Sequence, residues 1–137
     1  MKKGFVYLVG AGPGSADLIT LRGLRAIRSA EILIVDSLLP PVFLDDLGIN
    51  SSKKQIHYLV EQGVRKTQQQ INQLMLDGVR QGKKVARVKT GDPHIFGRGL
   101  EEQTFLTENG IDWEYIPGIS VFSAGLGMAD MALTKRQ

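Results

Sequence analysis

Gly4-Phe5-Val6-Tyr7-Leu8-Val9-Gly10-Ala11-Gly12-Pro13-Gly14, followed by Asp17-Leu18-Ile19-Thr20-Leu21-Arg22-Gly23-Leu24, decides the fold of this chain. A short run of β-forming residues closed by a glycine cluster reads as a buried strand. Behind Thr20, a residue type suited to a helix N-cap, Leu21, Leu24 and Ile27 recur at helical spacing. The apolar run Glu31-Ile32-Leu33-Ile34-Val35 then reads as a second strand, ending at Asp36. Strand, helix and strand within roughly 30–35 residues is the size of a crossover unit joining parallel strands.

The same alternation continues outward. Pro40-Pro41 punctuates a short segment, and Gln55-Ile56-His57-Tyr58-Leu59 reads as a third, lesser strand. Ile71, Leu74, Met75 and Val79 mark one face of a helix that Thr67 caps and Gly82 closes. A fourth strand, Lys84-Val85-Ala86-Arg87-Val88, runs into the loop Lys89-Thr90-Gly91-Asp92-Pro93. Gly99 to Glu108 is helical in character, Asp112-Trp113-Glu114-Tyr115-Ile116 alternates like a fifth strand before Pro117-Gly118, and a last helix begins near Ser120. The expected fold class is therefore α/β: a mostly parallel five-stranded sheet with helices on both faces, because parallel neighbours need crossover connections.

With 137 residues, 42% of them hydrophobic, the chain can bury one substantial core, so residues 1–137 are expected to form one domain. The absence of cysteine excludes disulfide frameworks, thiolate nucleophiles and cysteine-ligated metals, and fits a cytoplasmic protein. No apolar run reaches the roughly 18–20 residues of a membrane span, and Met1-Lys2-Lys3-Gly4 leads directly into strand, not into a signal-peptide core. The net charge of +3 favours an anionic partner without identifying one. Nucleic acid is not expected, since basic residues are scattered among acids and do not alternate with aromatics. His57 and His94 lack the companions a metal site requires, so no metal is expected.

In a parallel sheet ligands bind beyond the carboxyl ends of the strands, and three glycine-containing loops follow strands here: Gly10-Ala11-Gly12-Pro13-Gly14, Gly91-Asp92-Pro93 and Pro117-Gly118-Ile119-Ser120. The dinucleotide fingerprint G-x-G-x-x-G competes for the first loop, with Asp36 placed where a ribose-binding acid would stand. It fails: its third glycine falls at Ser15, and the actual third glycine, Gly14, follows a proline that has no N–H to offer a phosphate. No G-K-[ST] end follows the glycines, so a P-loop fails too.

These segments resemble, in order and spacing, the signatures of the tetrapyrrole methylases. Val6 to Gly14 with Asp17 to Leu24 resembles the family's opening. Lys89-Thr90-Gly91-Asp92-Pro93-His94-Ile95-Phe96-Gly97-Arg98-Gly99 with Glu101-Glu102 resembles its G-G-D-P-x-I-F-G-R-G-x-E-E segment, especially that of uroporphyrinogen-III methylases. Ile116-Pro117-Gly118-Ile119-Ser120 resembles V-P-G-I-[ST], and Leu133-Thr134-Lys135-Arg136 resembles L-T-H-R.

The resemblance implies the N-terminal domain of that fold, with S-adenosyl-L-methionine as cofactor and a reduced tetrapyrrole as acceptor of carbon-bound methyl groups, giving precorrin-2 on the way to sirohaem and cobalamin. It also implies a homodimer for the full-length protein, and a second domain completing the cleft. A chain that ends at Gln137 is on that ground expected to methylate weakly or not at all, since a one-walled cleft does not exclude water. Carried over residue by residue, Gly12, Pro13 and Gly14 form the cofactor loop, Thr90, Gly91, Asp92 and Ile95 the second contact segment, and Ser120 with Val121 the third. Asp92 is read either as a cofactor contact or as a turn residue beside Pro93. Asp36 takes the family's proton-acceptor role or serves as a loop cap. Arg98 meets a substrate carboxylate or forms a structural ion pair. Three departures stand out: Thr90 in place of a glycine, Lys135 in place of a histidine, and no basic residue near Leu59-Val60, where uroporphyrinogen-III methylases carry a lysine linked to proton donation.

Overall fold

Because every strand but a short hairpin runs the same way, one edge of the sheet collects all the strand ends that matter here. A computed structural model of the chain describes residues 2–95 and 98–128; Phe96, Gly97 and the segment Leu133-Thr134-Lys135-Arg136 lie outside the described residues. In chain order the elements are β1 (Phe5–Gly10), α1 (Leu21–Ser29), β2 (Ile32–Val35), α2 (Phe43–Asp46), β3 (Gln55–Tyr58), β4 (Val60–Glu61), β5 (Val64–Arg65), α3 (Gln68–Arg80), β6 (Lys84–Lys89), α4 (Gly99–Glu108), β7 (Trp113–Ile116) and α5 (Val121–Met128). Strands β3, β2, β6, β1 and β7 lie side by side in that order, and each neighbouring pair is parallel. Non-consecutive neighbours require the crossovers that α1 and α3 supply.

Side-chain alternation along the strands feeds two cores. Val9, Leu33, Val35, Ala86 and Val88 face α1 and α2, where they pack with Ala26, Ile27 and Phe43. Val6, Leu8, Ile32, Ile34 and Val85 face the other way, onto Ile71 and Met75 of α3 and Leu106 of α4. All of β2 is buried, which is why it reads as an uninterrupted apolar run. Each fully buried Leu, Ile or Val contributes about 1.5–3 kcal/mol relative to exposure.

Local chemistry fixes the helix ends. Thr20 Oγ1 accepts the N–H of Gly23 at 3.0 Å, starting α1. At α3, Thr67 Oγ1 accepts Gln70 N at 3.1 Å while Gln70 Oε1 accepts Thr67 N at 2.8 Å, a reciprocal capping box. Lys54 donates to the carbonyls of Arg28, at 2.8 Å, and Ala30, closing the C-terminal end of α1.

Two features depart from the sequence reading. Residues 59–66, where no element is expected beyond Leu59, form the antiparallel hairpin β4–β5, turning through Gln62 and Gly63 at positive φ. The Pro40-Pro41 segment leads into the one-turn helix α2, which buries Phe43 and Leu44. None of the described helices is long and apolar enough to cross a membrane.

Candidate functional site

The three glycine loops meet on one edge. Ala11 N donates to the Lys89 carbonyl at 2.8 Å, and Gly12 and Gly91 exchange two backbone bonds, Gly12 N to Gly91 O at 3.2 Å and Gly91 N to Gly12 O at 2.7 Å. Gly118 packs against Gly10 and Gly91. A Cβ at Gly10 would lie 2.5 Å from Gly118 N, and one at Gly118 would lie 2.6 Å from the Gly10 carbonyl carbon and collide with the Gly91 oxygen. Only glycines allow this junction, because its contacts are backbone on backbone. Pro13 and Gly14 continue from it, half-buried.

Asp92 locks the junction. Its Oδ1 accepts His94 N at 2.8 Å, and its Oδ2 accepts the Tyr115 hydroxyl at 2.6 Å and Gly118 N at 3.0 Å. One carboxylate thus joins the loop after β6 to the end of β7 and the loop beyond it. Burial pushes the Asp92 carboxyl up, but the Tyr115, His94 and Gly118 donors outweigh it and hold it below the usual aspartate value. Burial, then the Asp92 hydrogen bond and charge, push the Tyr115 phenol up to about 12. The His94 ring stacks on Tyr115 at a centroid distance of 4.0 Å, and the Gln103 side chain pairs with its Nε2.

Around this floor Ile95, Ile119, Val121 and Phe122 remain exposed. Ser120 is buried, and its Oγ accepts Phe122 N at 3.2 Å, capping α5. Val121 stands over Gly91, its N and Cγ2 each 3.2 Å from where a Gly91 Cβ would be. The Thr90 hydroxyl is buried with no hydrogen-bond partner among the described residues.

Asp36 stands at the end of β2, beside the second segment. Its Oδ2 accepts Thr90 N at 3.2 Å and its Oδ1 accepts Leu38 N at 3.4 Å. It also opens a cavity of about 670 Å³ whose wall carries Arg65, Lys66, Arg87, Lys89 and Arg98. At the floor, Glu102 of α4 is wholly buried: its Oε2 accepts Arg87 Nε at 2.9 Å and Gln68 Nε2 at 3.2 Å, and its Oε1 accepts Lys89 Nζ at 2.6 Å. Burial raises the Glu102 carboxyl, but the charges and hydrogen bonds of Arg87 and Lys89 outweigh that and lower it overall. Arg98, at φ 60 before α4, is exposed and lies 3.9 Å from Glu101. His57 sits half-buried in β3 beside Gln55, and among the described residues no group of three or more His, Cys, Asp or Glu could hold a metal ion.

The structure thus brings Gly12, Pro13, Gly14, Thr90, Gly91, Asp92, Ser120 and Val121 to one rim, with Asp36 at its side and Ile95 and Arg98 on the segment that leaves it. Two things were not read from sequence. One is the Arg87–Glu102–Lys89 cluster, whose signal was present as two cations at alternate positions of a strand buried on both faces. The other is the place of Lys66: the hairpin returns it to the end of β3, where its Nζ donates to the Tyr58 carbonyl at 2.6 Å and pairs with Glu61 at 3.2 Å. A cation therefore stands in space where the linear sequence has none.

S-adenosylmethionine fits this rim on the chemistry present. The floor is free of side chains at its glycines, its flank is exposed and apolar for an adenine ring or thioether, and the buried Thr90 hydroxyl is unmatched.

Residues 5–137 match the family model described as tetrapyrrole (corrin/porphyrin) methylases. The chain is 39% identical over 136 residues to a siroheme synthase of Hydrogenovibrio crunogenus, a match covering 99% of this chain and 28% of that protein. Its fold superposes on the uroporphyrin-III-C-methyltransferase of Thermus thermophilus with TM-score 0.83 at 35% identity, covering 97% of this chain and 55% of the other. The Thermus thermophilus enzyme complexed with S-adenyl homocysteine gives 0.78 at 36% identity, covering 97% and 54%. A cobalt precorrin-4 methyltransferase gives 0.81 at 30% identity, covering 96% and 53%. The chain thus spans little more than a quarter of that siroheme synthase and about half of each methyltransferase.

Proposed function

Because the chain belongs to the tetrapyrrole (corrin/porphyrin) methylases, we propose that it forms the cofactor-binding part of an S-adenosylmethionine-dependent C-methyltransferase that converts uroporphyrinogen III to precorrin-2. The observation that carries this reading is the backbone junction of Gly10, Gly12, Gly91 and Gly118 at the carboxyl edge of the sheet, next to the carboxylate of Asp36.

The cofactor, when bound, supplies an activated methyl group on a sulfonium. What the protein must add is chiefly position. Gly12, Pro13 and Gly14, Thr90, Gly91 and Ile95, and Ser120 with Val121 would hold it, while Asp92 keeps two of these loops in register. Asp36 is aimed by the N–H groups of Leu38 and Thr90, so its carboxylate has a fixed direction for taking the proton that the alkylated, cationic macrocycle must lose from a ring nitrogen or a bridging carbon, the methylated carbon itself being fully substituted. The basic wall of the cavity, with Arg98 at its mouth, matches an acceptor rich in carboxylates.

A second reading, methylation of a different precorrin, draws on Thr90, which puts a side chain where the uroporphyrinogen-III pattern has glycine, and on the likeness to the cobalt precorrin-4 enzyme. Thermal unfolding with added ligand tests the common ground: S-adenosylhomocysteine is expected to raise the midpoint, by RT ln(1 + [L]/Kd), and NAD to leave it unchanged. Stabilisation by NAD and not by S-adenosylhomocysteine ends the methylase reading.

A further inference from the structure

We infer that the buried Arg87–Glu102–Lys89 cluster at the cavity floor is a seat for one carboxylate group of an acidic ligand. The inference deepens the methylase reading, because the ligand expected there is the acceptor.

The strand pattern puts these groups where they are. Val85, Arg87 and Lys89 alternate on the face of β6 that packs under α3 and α4, so two cations occupy positions the rest of the sheet gives to aliphatic residues. Both are almost wholly buried, at 3% and 2% exposure, yet both touch the cavity. Burying charge is costly unless it is matched. Glu102 bridges the two, so that its one carboxylate is shared between two cations. Burial first, then the nearby Arg87 charge, lowers the Lys89 ammonium, against the opposing pull of Glu102 and Asp36.

The other charged groups that face the cavity are cations, with one exception. Arg65, Lys66 and Arg98 line the wall, against the single lining carboxylate of Asp36, whose oxygens already accept two backbone N–H groups. Lys66 and Arg98 have their own acidic neighbours in Glu61 and Glu101 on the wall, whereas Arg87 and Lys89 share Glu102 at the floor. The N-terminus of the 13-residue helix α3 opens at Thr67 and Gln68 onto the same space, adding the positive end of its dipole. Arg87 Nε is held by Glu102, and Nη1 donates to the carbonyls of Ile34 and Val88, both at 3.3 Å. The guanidinium is thereby fixed in plane, and no hydrogen bond of the described residues uses its Nη2, the edge left to meet a carboxylate. Glu102 is a positioning residue here: it orients both cations and touches no ligand.

The carboxylate could come from the tetrapyrrole or from the methionyl end of the cofactor, and binding measurements separate the two. The probes are uroporphyrin III, benzenehexacarboxylate, which is acidic but not a tetrapyrrole, and S-adenosylhomocysteine. Arg87→Gln is expected to weaken the seated probe by about tenfold or more, Arg87→Lys, which keeps the charge but not the planar edge, to recover only part of that loss, and Arg22→Gln, an exposed cation on the opposite face, to change nothing. Loss confined to uroporphyrin III and benzenehexacarboxylate assigns the seat to the acceptor; loss confined to S-adenosylhomocysteine assigns it to the cofactor. Should Arg87→Gln fail to fold, the Arg87 Nε–H resonance of the unaltered chain decides, since a docked carboxylate must move it. A resonance that none of the three acids moves, or Arg87→Gln binding all three as tightly as the parent, overturns the seat. If benzenehexacarboxylate moves it while S-adenosylhomocysteine does not bind at all, the seat stands and the methylase reading falls.

Discussion

On the β6–β1–β7 side of the rim the loops touch backbone to backbone, whereas on the β2–β3 side they stand apart around a cavity of about 670 Å³. The first half is closed by glycines and by one carboxylate that also holds the Tyr115 hydroxyl. In the second half the walls are long cations, a two-stranded hairpin and a helix end. A cofactor that must be held in one shape suits the first kind of surface. An acceptor that differs from one family member to another, and that carries charge, suits the second. The difference also separates two kinds of sensitivity: the closed half should respond to added volume, the open half to altered charge or to loss of a single cap.

The largest effect should come from adding one methyl group to the closed half. Gly118→Ala forces a Cβ into the carbonyls of Gly10 and Gly91, both main chain, so relief requires moving two strand ends. The expected cost is about 4 kcal/mol or more, among the largest for a single substitution, with loss of S-adenosylhomocysteine binding. The matched change in the open half is Gly63→Ala in the hairpin turn, where the new Cβ meets nothing within 4 Å and only the positive φ resists it; about 1–2 kcal/mol is expected. Denaturant unfolding of both variants checks the contrast, and equal costs would remove the distinction between the halves.

How much of this was legible beforehand follows the same division. Strands β1 and β6 of the closed half announce themselves because they are largely buried and run into glycine-containing loops, so Phe5–Gly10 and Lys84–Lys89 emerge close to their observed limits. Even there the partners of Asp92 were hidden: Tyr115 is 23 residues away, and nothing local says that its hydroxyl returns to that carboxylate. The open half was legible only in outline. The hairpin strands are two residues each, too short for alternation to register, and Val60 and Val64 are exposed, so the burial pattern that marks the other strands is missing. The lack of a basic residue after β3 held along the chain but not in space, because a tight turn carries Lys66 back. Glu102 entered the sequence reading only as part of a family segment; the packing of α4 over β6 is what makes it the counter-ion of Arg87 and Lys89.

A smaller effect, and one with a pH signature, is expected at Asp92. Its folded-state pKa is depressed, so it contributes stability above its ordinary value near 3.8, lost as pH falls through the lower folded value. Tyr115 behaves oppositely: its folded value is raised, so its contribution is complete below the ordinary value of 10 and is lost as pH rises through about 12. Asp92→Asn keeps an acceptor but loses the charge that three donors answer, and about 2 kcal/mol should be lost at neutral pH. The gap between parent and variant should begin to narrow below about pH 4, where the unfolded chain's carboxylate takes up its proton, and close as pH falls through the lower folded value. Urea unfolding at pH 7 and pH 3 measures it, and a gap that stays constant would mean that the charge of Asp92 does not hold the junction.

The smallest effect distinguishes the halves most sharply, because it should stay where it is made. Thr67 caps α3 at the mouth of the cavity, and Thr67→Ala removes the oxygen that accepts Gln70 N; about 1 kcal/mol is expected. Ile71, one turn in, packs in the core between β1, β2 and α4, so the helix as a whole should persist while its first turn frays. Amide hydrogen exchange reads this directly: protection at Gln70 and Ile71 should fall, and protection at Gly91, whose N–H is bound to Gly12 O at 2.7 Å across the closed junction, should follow only the global stability change. If Gly91 loses protection beyond that amount, the cap on the open side supports the glycine junction as well, and the rim behaves as one cooperative piece.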